Sequence, residues 1–131
     1  MEIRQRPSGT EGVTLLALDG GLDHTTTAIF IARMDAILDE GVGRVVLDLG
    51  RLTYASSLGL AAMVRVHHHY AARGGRIAFA NLHSAIATIL RVSRLDRLFD
   101  LYPTVPEAVR SIAPKPKAPP SGSPPAAPGP G

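Results

Sequence analysis

The sequence predicts an α/β domain, a small mostly parallel mixed β-sheet packed with α-helices. Three observations carry that prediction. Strand-like and helix-like segments alternate along residues 1–112, the pattern that builds parallel strands joined by crossover helices. The run Val45-Val46-Leu47-Asp48-Leu49 is apolar without a two-residue alternation, as in a central strand covered on both faces. From residue 113 onward the composition changes abruptly, with eight prolines in nineteen positions, so the core has to be complete before that point.

In chain order, Glu2–Arg6 and Val13–Asp19 read as two strands around a Pro7–Gly12 turn, an expected antiparallel hairpin. Gly20-Gly21 is expected to break the second strand. Thr25–Glu40 places Phe30, Met34, Ile37 and Leu38 at helical spacing, with Asp23 or Thr25 as N-cap and Gly41 and Gly43 as stops. Arg44–Leu49 is the central strand and Ser57–Arg73 the second helix, stopped by Gly74-Gly75. Arg76–Ala80 reads as a strand, Ser84–Ser93 as a third helix, Asp100–Tyr102 as a short strand and Val105–Ile112 as a last helix. Residues 1–112 are therefore one domain. Residues 113–131 cannot bury enough apolar area to offset ordering and are expected as a disordered Pro-rich tail, with a Pro-rich ligand as the open alternative.

Composition narrows the function classes. A chain of 131 residues, 45% of them hydrophobic, suits one soluble core. The start lacks the basic and apolar regions of a leader, and no apolar run approaches the roughly 18 residues of a membrane span. The expectation is a cytoplasmic protein without direct membrane contact. The absence of cysteine excludes disulfides, thiol catalysis and zinc–thiolate sites. Two of the fourteen basic residues are Lys115 and Lys117, which leaves twelve Arg against eleven Asp and Glu in the domain. That near-neutral balance, with few aromatics, gives no support for a nucleic-acid surface.

Open α/β sheets carry their functional residues at the carboxyl ends of strands, an edge formed here by Gly20–Asp23, Gly50–Ser57 and Asn81–Ser84. Ser56 leads the candidates because it follows a strand, opens a helix and has small neighbours in Ala55, Ser57 and Gly59. A helix start offers unpaired N–H groups and the positive end of the macrodipole, so Ser56 and Ser57 are caps, phosphorylation targets or both. Nucleophilic catalysis is disfavoured: there is no Gly-x-Ser-x-Gly elbow, and none of the five His has an evident carboxylate orienter. Asp23 caps the first helix or touches a partner at the same edge. Asp48 lacks the acidic cluster and lysine of a phosphate receiver and is expected to order the loop before Ser56.

His67-His68-His69 is not expected to be a metal site, since adjacent helical side chains diverge by about 100°. On that helix Leu60, Met63, Val64, Tyr70 and Ala71 form the expected apolar face, with His67 at its edge. Arg65, His69 and Arg73 line up opposite, either as a solvated stripe or as a contact for acidic partner residues.

Taken together these residues resemble the STAS domain, and specifically the free-standing bacterial anti-sigma-factor antagonists. The carriers are Gly20-Gly21-Leu22-Asp23, Val45–Leu49, Ser56-Ser57, Ala72-Arg73-Gly74-Gly75-Arg76 and Leu95-Asp96-Arg97-Leu98-Phe99. Ala55 and Leu58 depart from the Asp and Gly of the family pattern, with Gly59 one place later. The resemblance implies a STAS fold and a regulatory binding protein with no cofactor and no catalytic residues. It implies phosphorylation of Ser56 by a partner anti-sigma factor that is a GHKL-type serine kinase, and removal of the phosphate by a PP2C-type phosphatase. The unphosphorylated form would bind the anti-sigma factor and free the sigma factor. The expected partner surface is Asp23, Ser56, Ser57, Leu58, Gly59 and Arg65. The alternative is a STAS subunit of an ABC-type lipid transport complex that works without phosphorylation.

Overall fold

The computed structural model describes residues 1–41 and 43–114, so the tail expectation for residues 115–131 lies outside the described residues. Strands β1 (Glu2–Arg6), β2 (Thr14–Leu22), β3 (Arg44–Ala55), β4 (Arg76–Ala80) and β5 (Asp100–Tyr102) form one sheet in sequential order. The β1–β2 hairpin is antiparallel and every later pairing is parallel. Helices α1 (Thr27–Asp39), α2 (Ser57–Ala72) and α3 (Ser84–Val92) make the crossovers, a 3₁₀ turn spans Leu95–Arg97, and α4 (Val105–Ile112) ends the domain.

Sequential order with crossovers of one hand sends all three crossover helices to the same face. The core records this. Leu16, Leu18, Val45, Leu47, Ile77 and Phe79 pack with buried residues of α1, α2 and α3. Their neighbours of opposite parity, Leu15, Val46, Ala78 and Ala80, pack on Ala108, Val109 and Ile112 of α4. Burial of β3 on both faces explains its unbroken apolar run.

Two strands run further than expected. The Gly20-Gly21 pair does not end β2, which continues to Leu22 through shifts in its pairing with β3. Gly20, at φ +115°, takes up the irregularity as a bulge, a role a glycine supports as readily as a stop. Strand β3 likewise continues past Leu49 to Ala55, with Leu52 fully buried. These extensions set Leu22 beside Ala55 at the carboxyl edge. The chain positions that follow, Asp23 and Ser56, are therefore neighbours.

Candidate functional site at the carboxyl edge

The two strand ends are stitched by one carbonyl. Leu22 O accepts the Ser56 N–H at 2.9 Å. Gly59, in the first turn of α2, is seated on that same Leu22 peptide so closely that a Cβ would collide with its backbone. This accounts for Leu58: glycine is required at 59, where helix backbone meets strand backbone, while Leu58 faces outward and is 52% exposed.

Ser56 is the N-cap of α2. Its extended backbone (φ −80°, ψ 173°) turns Oγ back to accept the Gly59 N–H at 3.1 Å, and its carbonyl accepts from Leu60 N–H at 2.8 Å. Ser56 is half-buried, and its Oγ accepts the cap bond while keeping its own O–H. Ser57, the first helical residue, is exposed.

Asp23 is at the same edge, but α1 is not capped by either expected side chain. The helix begins after Thr26, whose Oγ1 donates to Gly21 O at 2.9 Å and accepts from Asp23 N–H at 2.9 Å. The Asp23 carboxylate accepts from Thr25 Oγ1 at 2.6 Å and from Thr25 N–H at 2.9 Å. Those bonds hold its carboxyl below the usual aspartate range, with a smaller contribution from the His24 charge. Asp23 thus keeps its negative charge and rigidifies the loop that flanks Ser56.

Tyr54 extends the surface and was missed by sequence reasoning. Its ring lies against Gly21 and is 53% exposed. A large aromatic next to a strand end, without a helical or alternating partner in sequence, was the available signal. Asp48 stays out of the serine site. Its carboxylate accepts from Gly50 N–H at 3.0 Å and from Asn81 Nδ2 at 3.1 Å, which ties the bend in β3 to the end of β4.

The face of α2 that is buried differs from the predicted one. Gly59, Ala62, Met63, Val66 and Tyr70 are buried, Leu60 and Val64 are partly covered, and Ala71 is exposed. His67 is partly buried, edge-on to the Phe99 ring with centroids 5.5 Å apart. Burial lowers its pKa, and the adjacent His68 adds to that effect. The stripe Arg65, His69, Arg73 is exposed throughout, and two of its members face α1 carboxylates. Arg73 Nη1 lies 3.0 Å from Asp39 Oδ1, and His69 Nε2 lies 3.8 Å from Asp35 Oδ1, both across the seam with α1. Among the described residues no group of three His, Asp or Glu converges as a metal site, and none of their helices is long and apolar enough to cross a membrane.

Chemically, the edge presents a free hydroxyl at a helix start, a fixed carboxylate and two exposed apolar side chains. Among the described residues neither serine hydroxyl is hydrogen-bonded to a histidine. The arrangement suits recognition and modification.

Known proteins share this architecture. The STAS domain family model matches residues 6–108. The anti-sigma F factor antagonist of Paenibacillus polymyxa is 28% identical over 92 residues, covering 70% of this chain and 79% of its own. The fold is shared with an anti-sigma factor antagonist from Mycobacterium paratuberculosis (TM-score 0.74, 19% identity, 85% and 92% of the two chains). It is shared also with the Bacillus cell fate determinant SpoIIAA in its phosphorylated form (TM-score 0.64, 17% identity, 84% and 99% covered). With a family match over most of its length and the sheet order and helix placement described above, the chain belongs to the STAS domain family.

Proposed function

We propose that this domain is an anti-sigma factor antagonist that binds an anti-sigma factor through the carboxyl edge of its sheet and is switched off by a phosphate on the Ser56–Ser57 pair. The partner is read as a GHKL-type serine kinase, with a PP2C-type phosphatase restoring the active form. Binding by the unphosphorylated protein would release the sigma factor. The contact surface is Asp23, Ser56, Ser57, Leu58, Gly59 and Arg65, to which Tyr54 is added. The names of its relatives and the solved phosphorylated form of a protein with the same fold support this reading.

The single observation that carries it is the division of labour in the serine pair. Ser56 is half-buried with its Oγ accepting the Gly59 N–H, while Ser57 is exposed on the first turn. Exposure makes Ser57 the more accessible hydroxyl, which favours it over the expected Ser56 as acceptor. A phosphate there adds about −1.5 to −2 charges at pH 7. The helix start tolerates that charge. A partner packed over Tyr54 and Leu58 does not, because the charge would have to be desolvated without a counter-ion.

The test is incubation with the purified cognate anti-sigma factor and ATP, followed by intact mass and phosphopeptide mapping. One phosphate is expected, on Ser57; Ser57→Ala abolishes it and Ser56→Ala retains it. Phosphate on Ser56 would return the acceptor to the cap. No phosphorylation, together with co-purification of an ABC-type ATPase, would replace the switch with the transport-subunit alternative.

A further inference from the structure

We infer that the seam between α1 and α2 next to the serine edge receives a partner segment carrying a carboxylate beside an aliphatic side chain. The carboxylate seats on Arg65 and the aliphatic group enters the groove between Ile31 and Leu58. This rests on the antagonist reading and specifies the chemistry of the anti-sigma factor's contacting segment.

Both helices link parallel strands of one sheet, so they lie side by side and point the same way. Residues four apart on a helix share a face. On α1 that row is Ile31, Asp35, Asp39; on α2 it is Arg65, His69, Arg73. One rung of this ladder is closed by an ion pair, Arg73 to Asp39 at 3.0 Å, and at the next His69 faces Asp35 at 3.8 Å, beyond hydrogen-bond distance. The same offset brings Arg65 opposite Ile31. The ladder calls for a carboxylate there, and the sequence supplies an isoleucine.

Arg65 and Ile31 line one cavity of about 230 Å³ together with Thr27, Leu58, Ala61 and Ala62. Among the described residues Arg65 takes part in none of the salt bridges or side-chain hydrogen bonds. An arginine whose stem lies along apolar walls keeps its fork available for a planar, bidentate anion. The Arg73–Asp39 pair, with Asp35 facing His69, shows that this row sits opposite carboxylates. Phosphoserine of the same chain does not compete, because Ser57 lies eight positions up α2, a rise of about 12 Å. The groove is continuous with the serine edge through Leu58, so a partner that covers Ser57 also covers Arg65.

The experiment is titration calorimetry against the purified cognate anti-sigma factor, with melting curves for each variant. Arg65→Ala should raise Kd about tenfold and Arg65→Glu about a hundredfold, with unchanged melting, since Arg65 is exposed. Arg65→Lys should fall between Ala and wild type because it keeps charge but loses the fork. Ile31→Asp closes the third rung within the chain and should weaken binding about tenfold. Replacing the partner's contacting Asp or Glu by Lys should restore binding to Arg65→Glu. Wild-type affinity in Arg65→Ala and Arg65→Glu, beside weak binding by Ser57→Glu, would overturn the inference and leave the antagonist reading standing. Failure of wild type to bind the anti-sigma factor would overturn both.

Discussion

The two ends of the α1–α2 pair are built from the same helices and do opposite things. Toward their C-termini the seam is sealed: Tyr70 is fully buried and donates its hydroxyl to Met34 O at 2.7 Å. His69 and Arg73 meet α1 carboxylates, and Gly75 N–H returns to Tyr70 O at 2.8 Å to end α2. Toward their N-termini the seam is open, with Leu58 exposed, Arg65 without a carboxylate and a cavity between the helices. The difference separates the end that carries stability from the end proposed here to carry recognition. One end fixes the angle and phase of the two helices, so the other can leave apolar and charged groups uncovered without loosening the fold.

The largest effect is expected where the two roles meet, at Gly59. Its backbone rests on the Leu22 peptide, and the obstructing atoms for any Cβ are backbone atoms that have no rotamer to escape into. Alanine at this position gains up to about 1 kcal/mol of helix propensity, which partly offsets an overpacking cost of about 1–3 kcal/mol. Valine has no such gain. Gly59→Val should therefore lose about 3 kcal/mol in denaturant unfolding and also weaken the anti-sigma factor contact, because the start of α2 has to lift away from Asp23. A stable Gly59→Val with wild-type binding would show that the first turn of α2 need not rest on the Leu22 peptide.

Tyr70→Phe should separate the ends. The Tyr70 hydroxyl is sequestered by burial, which pushes its ionisation well above the usual phenol range, reinforced by Asp35 and Asp39. Removing it deletes a buried hydrogen bond, while Met34 O keeps its place in the α1 ladder. The expected loss is about 1–2 kcal/mol of stability, read by urea unfolding, with no change in partner affinity at a temperature where the variant is folded. A binding defect would mean that the sealed end also transmits to the open one.

Legibility in the sequence followed the same division. Arg76–Ala80, Asp100–Tyr102 and Val105–Ile112 were read with the bounds the structure has. Each is bracketed by an unambiguous signal: Gly75 before β4, Pro103 after β5 and Thr104 capping α4 through Glu107 N–H. The ends of β2 and β3 were not legible, because Gly20-Gly21 reads equally as stop and as bulge, and only the neighbouring strand decides. The buried face of α2 was misjudged because hydrophobicity favours Leu60 and Ala71, whereas contact with the sheet is set by the small Gly59 and Ala62. Asp23, Ser56 and Ser57 were legible as one edge. The start of α2 at Ser57 was legible as well, whereas the unequal exposure of the two serines was not, since it depends on how the first turn seats on Leu22.

The smallest effect is expected at Arg73, and its smallness is what makes it informative beside Arg65. The two residues occupy the same face of α2 two turns apart, and a solvated stripe would make them equivalent. In the structure Arg73 is already paired with Asp39 at 3.0 Å, both side chains substantially exposed at 47% and 69%. An exposed pair of this kind is worth about 0–1 kcal/mol, since solvent screens the charges and two long side chains lose freedom to hold one geometry. Arg73→Ala should thus lower stability by less than about 1 kcal/mol, and less again at high salt. Its charge is committed within the chain, so the anti-sigma factor affinity should stay at the wild-type value while Arg65→Ala reduces it. Calorimetry on the two variants side by side reads the contrast directly. Equal losses from both would mean that the partner reads the whole basic row and that the Arg73–Asp39 pair opens on binding.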